Sequence, residues 1–238
     1  MLGIVIPAHN EALLIGRALA AVAEAARHPG LESEAVELIV VLDACTDATG
    51  LIAARAGART VSLRARNVGV ARAVGAEAVL AAGARWLAFT DADTMVSPSW
   101  LVDQLAQGAD AVCGSIGVDD WSDHGIHAAA IEAHFLRTYS DVENHRHIHG
   151  ANLGVSAEAY RRAGGFRHLA CSEDVALVRA LEATGARIAW SAKPRVVTSA
   201  RREARASGGF ADALLAAIAA GLAAVAPTAA TAASVTVP

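Results

Sequence analysis

Two apolar runs in this chain stop abruptly at carboxylates. Val36 to Leu42 ends at Asp43, and Trp86-Leu87-Ala88-Phe89-Thr90 ends at Asp91, followed by Ala92 and Asp93. Stretches of helical periodicity separate these runs from one another and from a third at the N-terminus. Strands alternating with helices at this spacing predict a sheet that is mostly parallel, with right-handed crossovers. The carboxyl ends of such strands face the ligand crevice, so the pattern predicts an α/β fold with acidic residues on its working edge. In extended geometry residues 91 and 93 point to the same side, and paired hard oxygen ligands suit a divalent ion that bridges phosphates. A turn that happens to carry two Asp is the alternative.

The remaining elements follow in order. Leu2-Gly3-Ile4-Val5-Ile6 reads as a strand broken by Pro7, and Asn10-Glu11 opens a helical stretch to about Ala26. Thr46-Asp47-Ala48-Thr49 supplies capping residues for the next helix. A short strand near Thr60-Val61-Ser62 leads to Arg66-Asn67-Val68-Gly69 and a helix to about Ala82. Ser97-Pro98 predicts a helix with Ser as N-cap and Pro in the first position, running to about Gln107. Ala111 to Val118 reads as a strand, His124 to Glu143 as helical, and His145 to Ser156 as a site-lining loop or short strand. Ser156 caps a short helix ending at Gly164-Gly165. Glu173-Asp174 then opens a helix to about Thr184, where first-turn carboxylates are also favoured by the helix dipole.

With 238 residues, more than half of them hydrophobic, the chain can bury one large core. A net charge of −4, with only Arg201, Arg202 and Arg205 clustered, argues against nucleic acid as a partner. Cys45, Cys113 and Cys171 are odd in number and lack Cys-x-x-Cys spacing, which points to a reducing compartment. No leader pattern follows Met1. The expected location is cytoplasmic. Residues 1–208 are expected to form the main domain, and 209–238 an Ala-rich helix and low-complexity tail. Within the segment 209–226, Ala213 to Ala226 is alanine-rich, with strong helix propensity, but is shorter than the roughly 20 residues of a membrane span. It is expected to pack on the domain, pair in a homodimer or touch a membrane surface.

Several short motifs in this order and spacing give the chain a resemblance to family 2 glycosyltransferases with the GT-A fold, over roughly residues 2–200. They are Ile6-Pro7-Ala8-His9-Asn10-Glu11, Leu42-Asp43-Ala44-Cys45-Thr46-Asp47, Asn67-Val68-Gly69 with Ala71-Arg72, Thr90-Asp91-Ala92-Asp93, Gly150-Ala151-Asn152, Gly164-Gly165-Phe166 and Glu173-Asp174. The resemblance implies a single Rossmann-like domain with a nucleotide-sugar half (about 1–95) and an acceptor half (about 96–208). It also implies transfer of a sugar from a UDP- or GDP-linked donor to an acceptor hydroxyl, with a divalent cation (Mn2+ or Mg2+) and inversion at the anomeric carbon.

By that likeness, Pro7, Ala8, His9, Glu11, Asp43, Asn67, Gly69, Arg72, Asp91, Ala92 and Asp93 line the nucleotide-donor site. Asp43 accepts a base N–H or caps the following helix. Glu11 takes a ribose hydroxyl or a base contact, and His9 stands where stacking on the base is open. Arg72 lies over the base or diphosphate, where its planar donors fit, or is a solvated surface charge. Asp91 holds the ribose and Asp93 ligates the metal. Gly150, Ala151 and Asn152 form a donor or acceptor loop. The attacking hydroxyl needs a base; Asp174 matches that role, with Glu173 beside it.

Two other readings stay open at this level. Alternating His145, His147 and His149 in an extended segment share a face and could bind zinc. Asp91-Ala92-Asp93 after an apolar strand also resembles the haloacid-dehalogenase-type phosphatases, whose first Asp is a nucleophile. That pattern wants Thr or Val two residues after the second Asp, where this chain has Met95. A dinucleotide-binding Gly-x-Gly-x-x-Gly is absent after the first strand.

Overall fold

The computed structural model describes residues 1–201. The expected helix and tail at 209–238, and Arg202 and Arg205, lie outside the described residues. The strands are β1 (Leu2–Ala8), β2 (Val36–Asp43), β3 (Arg59–Leu63), β4 (Trp86–Phe89), β5 (Thr94–Val96), β6 (Ala111–Gly117), β7 (Leu153–Ser156) and β8 (Ile188–Thr198). The helices are α1 (Ile15–Ala25), α2 (Thr49–Arg55), α3 (Val68–Ala81), α4 (Trp100–Ala106), α5 (Ala128–Thr138), α6 (Ala157–Arg162) and α7 (Glu173–Ala183). The strands form one sheet in the order β3-β2-β1-β4-β7-β6-β8-β5. It is mixed: β3, β2, β1 and β4 run parallel, as do β6 and β8, while β7 is antiparallel to both β4 and β6.

Alternation along the strands splits the core into two layers. Val5, Ile39, Val41, Leu87 and Phe89 pack with Ala71, Ala76 and Val79 of α3 and Leu177 and Val178 of α7. Leu2, Ile4, Ile6, Val40 and Ala88 face the other way, onto Ile15, Leu19 and Val22 of α1 and Trp100 and Leu101 of α4. Both faces of the central strands are covered, which is why β4 is apolar throughout. Gly75 lets α3 lie directly on the sheet, since a Cβ there would strike Val5.

Some boundaries differ from the expectations. Asn10 adopts a left-handed φ of 54°, which a helix cannot continue through, so α1 starts five residues later at Ile15. Ser97 is not an N-cap: its N–H donates to the Arg195 carbonyl, its own carbonyl accepts from Trp100, and α4 begins after Ser99. The expected helix over 124–143 is a 3-10 segment, Ser122–His127, kinked at Gly125, followed by α5, which ends at Thr138. Pro7 does not break β1; it lies past Val5, the last residue paired with β4, and so removes no bond from that ladder.

Strands β5 and β8 were not anticipated, and they shape the site. Pairing of β6 with β8 slips by three residues between Ser115 and Arg195, making a bulge. Asn152 closes it, donating through Nδ2 to the Ser115 and Pro194 carbonyls, both at 2.7 Å. The short β5 pairs antiparallel with the end of β8, Thr94 opposite Thr198, and their hydroxyls meet at 2.8 Å.

Candidate active site

The carboxyl ends of β1, β2, β4 and β8 share one edge of the sheet. The reversed strand β7 begins there, with Leu153 opposite Phe89, so the loop before β7 arrives beside Asp91. From the far side, α3 and α7 point their first turns at the same place. Four strand ends, one loop and two helix starts therefore converge.

Arg72, one turn into α3, is the centre of this convergence. It is buried, and its guanidinium donates to three groups: Nη2 to Asp91 Oδ1 at 2.6 Å, Nε to Glu173 Oε1 at 3.0 Å and Nη1 to the Gly150 carbonyl at 2.6 Å. It is neither a surface charge nor a free donor above a ligand. Burial pulls its pKa down, but the charges of Asp91, Glu173 and Asp174 more than compensate and hold it above the ordinary value. The same burial pushes Glu173 up despite the Arg72 charge. A Cβ on Gly150 would lie 2.5 Å from Arg72 Nη2, so glycine there is the condition for this close approach.

Asp91 and Asp93 do not extend the strand. Thr94 N–H donates to the Asp91 carbonyl across a tight turn, and each carboxylate meets a different guanidinium: Asp91 that of Arg72, Asp93 that of Arg201. Arg201 Nη2 stands 3.0 Å from Asp93 Oδ2, and its Nη1 donates to Glu11 Oε2 at 2.7 Å. Burial pushes the Asp93 carboxyl up to about 6, and the negative charges of Asp91 and Glu11 push the same way against the pull of Arg201. Glu11, expected at a ribose or base, thus has its carboxylate against Arg201.

The residues expected around the base are held by one another. Asp43 accepts three backbone N–H groups, from Ala65 and Arg66 on Oδ1 and from Asn67 on Oδ2, at 2.7–2.8 Å. It therefore closes the loop ahead of α3 rather than capping α2, whose N-cap is Ala48; Asp47, just before it, accepts from Thr49 N–H at 3.0 Å. His9 Nδ1 donates to the Asp43 carbonyl at 2.6 Å, which fixes its ring at the mouth of the crevice. Asn67 caps α3 through Val70 N–H and donates to the His168 carbonyl, while Gly69 N–H reaches the Leu169 carbonyl. Ala8 and Ala92 are buried.

Among the residues expected at the acceptor, Asp174 Oδ2 accepts from Gly150 N–H and Oδ1 from Val175 N–H, both at 2.7 Å. Unlike Glu173, it is partly exposed. Asn152 is fully buried; besides closing the bulge, its Oδ1 accepts from Trp100 Nε1 at 2.8 Å, so its amide faces the interior and not a ligand. Ala151 is buried beside it. The zinc reading of His145, His147 and His149 fails on geometry. The rings stack face to face, with 5.4 and 6.0 Å between successive centroids, and Tyr139 stacks on His147 at 4.1 Å. Their nitrogens turn to separate partners: the Ser191 carbonyl, the Ser140 backbone and the Tyr139 hydroxyl. Burial pushes His149 down to about 3, assisted by the charges of His147 and His145. Among the described residues no three His, Cys, Asp or Glu side chains are grouped to hold a metal.

Residues 3–164 match Glycosyl transferase family 2. The chain belongs to that family. No curated protein sequence matches it. Solved structures similar to it include S. aureus TarS 1-349 in complex with UDP-GlcNAc (16% identity, TM-score 0.63, 92% of this chain and 65% of that one). The mannosyltransferase PcManGT from Pyrobaculum calidifontis in complex with GDP-Man and Mn2+ is 18% identical, with a TM-score of 0.58 over 95% of this chain and 76% of that one. Glucosyl-3-phosphoglycerate synthase from Mycobacterium tuberculosis, with Mn2+, UDP and glucosyl-3-phosphoglycerate, is 20% identical, with a TM-score of 0.53 over 84% and 70%. The chain spans just under two thirds of TarS 1-349 and 36% of a longer TarS structure. These likenesses establish the GT-A fold for the family 2 member described here.

Sequence reasoning missed Arg201 as a site residue, noting it only within a small basic cluster. The signal was present in Ile188 to Thr198, a strand-like run whose Pro194 disguised it; recognising β8 would have carried Arg201 to the sheet edge with the other strand ends.

Proposed function

We propose that this protein transfers a sugar from a nucleoside-diphosphate donor, UDP- or GDP-linked, to an acceptor hydroxyl with inversion at the anomeric carbon. The observation that carries this reading is the Arg72 clamp. It ties Asp91, at the end of the donor half (about 1–95), to Gly150 and Glu173 of the acceptor half (from about 96), so both substrates meet across one guanidinium. UDP-GlcNAc in the TarS complex and GDP-Man in the PcManGT complex support a nucleotide-sugar donor.

In this reading the base lies near Pro7, His9 and Asp43, the ribose near Asp91 and the diphosphate near Asp93. Asp174 is the base. The acceptor oxygen attacks the anomeric carbon from the face opposite the diphosphate and gives its proton to Asp174. The bond from that carbon to the phosphate oxygen breaks, its electron pair leaving with the nucleoside diphosphate. The negative charge that builds there needs a cation. Mn2+ is present in the PcManGT and glucosyl-3-phosphoglycerate synthase complexes, and Asp93 is the residue on which Mn2+ or Mg2+ was expected. In this chain Asp93 Oδ2 faces Arg201, Asp91 Oδ1 faces Arg72, and no third ligand joins them among the described residues. With a guanidinium already seated on each carboxylate, that donor set does not fit a divalent ion.

The phosphatase alternative requires Asp91 to be a nucleophile, whereas its carboxylate is clamped by Arg72. The test is to incubate the protein with UDP- and GDP-sugars and an acceptor library, and to follow nucleoside-diphosphate release. Proton NMR of the product from an α-linked donor should show the β-anomer. Retention would refute single displacement, and phosphate release from phosphomonoesters without sugar transfer would favour the phosphatase.

A further inference from the structure

Arg201 reaches the site by strand register. Thr94 and Thr198 face each other across β5 and β8, so the three residues that follow Thr198 run back over the turn holding Asp93. Ser199 steadies that return by accepting from Arg201 N–H at 3.2 Å. The guanidinium then lies between Glu11 and Asp93, using two of its five N–H groups on partners among the described residues and leaving three. Its side chain is 20% exposed: it is packed into the crevice and still open to a ligand.

Glu11, Asp91, Asp93 and Glu173 bring four negative charges to this edge, and Arg72 and Arg201 bring two positive ones. The two cations differ in freedom. Arg72 has given every nitrogen to the protein. Arg201 has not. A divalent ion seated on Asp93 would stand against the fixed positive charge of Arg201 and compete with it for Oδ2. A nucleoside diphosphate meets the opposite situation, because its phosphate oxygens match a planar guanidinium fork that carries spare donors.

We propose that Arg201 is the diphosphate-binding cation of this enzyme, doing at Asp93 what a divalent metal would otherwise do, so that donor binding requires no added metal. The inference rests on the glycosyltransferase reading above. As the bond between the anomeric carbon and the phosphate oxygen breaks, the electron pair goes to that oxygen, and Arg201 N–H groups donate to it without giving up a proton. Asp93 and Glu11 orient the guanidinium and keep it charged. The acceptor proton goes to Asp174.

Calorimetric titration of UDP and GDP into the protein, first in EDTA and then with Mn2+, tests this. One of the two should bind in EDTA, and saturating Mn2+ should tighten it by less than about threefold. Arg201→Met should weaken metal-free binding by about tenfold or more, a loss of about 1.4 kcal/mol, and Arg201→Lys should retain part of it. Thermal melts of both variants establish that they fold. Should Arg201→Met not fold, the unmodified protein in EDTA and Arg201→Lys still decide the matter. Binding by the unmodified protein only in the presence of Mn2+ overturns the inference while leaving the transferase reading standing. Binding of neither nucleotide in either condition overturns the donor reading and the inference together.

Discussion

Arg72 Nη2 lies 2.6 Å from Asp91 Oδ1, and this ion pair, not strand geometry, holds the first carboxylate of the central pair. Asp91 sits in a turn two residues beyond the end of β4, where no ladder constrains it. The same guanidinium holds Glu173, so removing it strands two carboxylates at once. Breaking a buried pair by deleting one partner costs about 3–5 kcal/mol. Arg72→Met should lower stability by that order in urea unfolding, with Arg72→Met/Glu173→Gln recovering part of the loss. A change under about 1 kcal/mol would mean the clamp contributes little to the fold.

Asp43 should behave as a loop anchor before it behaves as a ligand contact. Asp43→Ala leaves the N–H groups of Ala65, Arg66 and Asn67 without their acceptor. An unsatisfied buried donor costs about 1–3 kcal/mol, and water reaching the loop brings the expected total to about 2–3 kcal/mol. Hydrogen exchange should quicken at residues 65–67. If Asp43 also reads the base, affinity for UDP or GDP will fall in this variant while pyrophosphate affinity holds.

The pH dependence of stability carries a signature of Asp93. Its carboxyl titrates near 6 in the folded protein, mainly because it is buried, against an ordinary value of 3.8. A folded value above the unfolded one means the folded state holds the proton more tightly. The contribution of this group is therefore fully present below about pH 4 and lost as pH rises through about 6. Asp93→Asn removes that titration. The stability of the unmodified protein minus that of the variant should fall steadily from pH 4 to pH 7 in chemical denaturation; a difference that stays flat contradicts the assignment.

Asp174→Asn should separate binding from chemistry. General-base contributions run about 10²- to 10⁴-fold, so turnover should drop within that range while donor affinity stays nearly constant. Gly150 N–H can still donate to the amide oxygen, which keeps the loop in place. Near-normal turnover would return Asp174 to a first-turn helix residue, with Glu173 next to be tested, although its carboxylate is tied to Arg72.

The strands of the first half of the chain were legible because their signal is local. Runs such as Val36 to Leu42 show their strand character by composition, and the acid at each run's end marks the crevice without knowledge of the neighbours. The partners of those acids were not legible. Nothing near Arg72 in the chain announces Glu173, which is 101 positions away, and Glu11 is 190 positions from Arg201. Asn152 looked like a ligand contact because loops before strands often line sites; only the β6–β8 bulge explains why its amide turns inward. The three histidines share one face as periodicity implies, yet they stack on each other instead of converging on a point.

The reversal of β7 has a consequence for how such a fold can diversify. Because β7 runs against β4, the chain enters the sheet at the crevice and leaves at the opposite rim, so everything from Val118 to Asn152 is suspended from one side of the opening. This excursion returns through a narrow gate, where Gly150 must pass the Arg72 guanidinium. Insertions or exchanges upstream of that gate can reshape this side of the opening while β1, β2 and β4 stay in register. On the proposed transferase reading, a graft that replaces residues 119–144 and keeps 145–156 intact is therefore the natural way to change the acceptor.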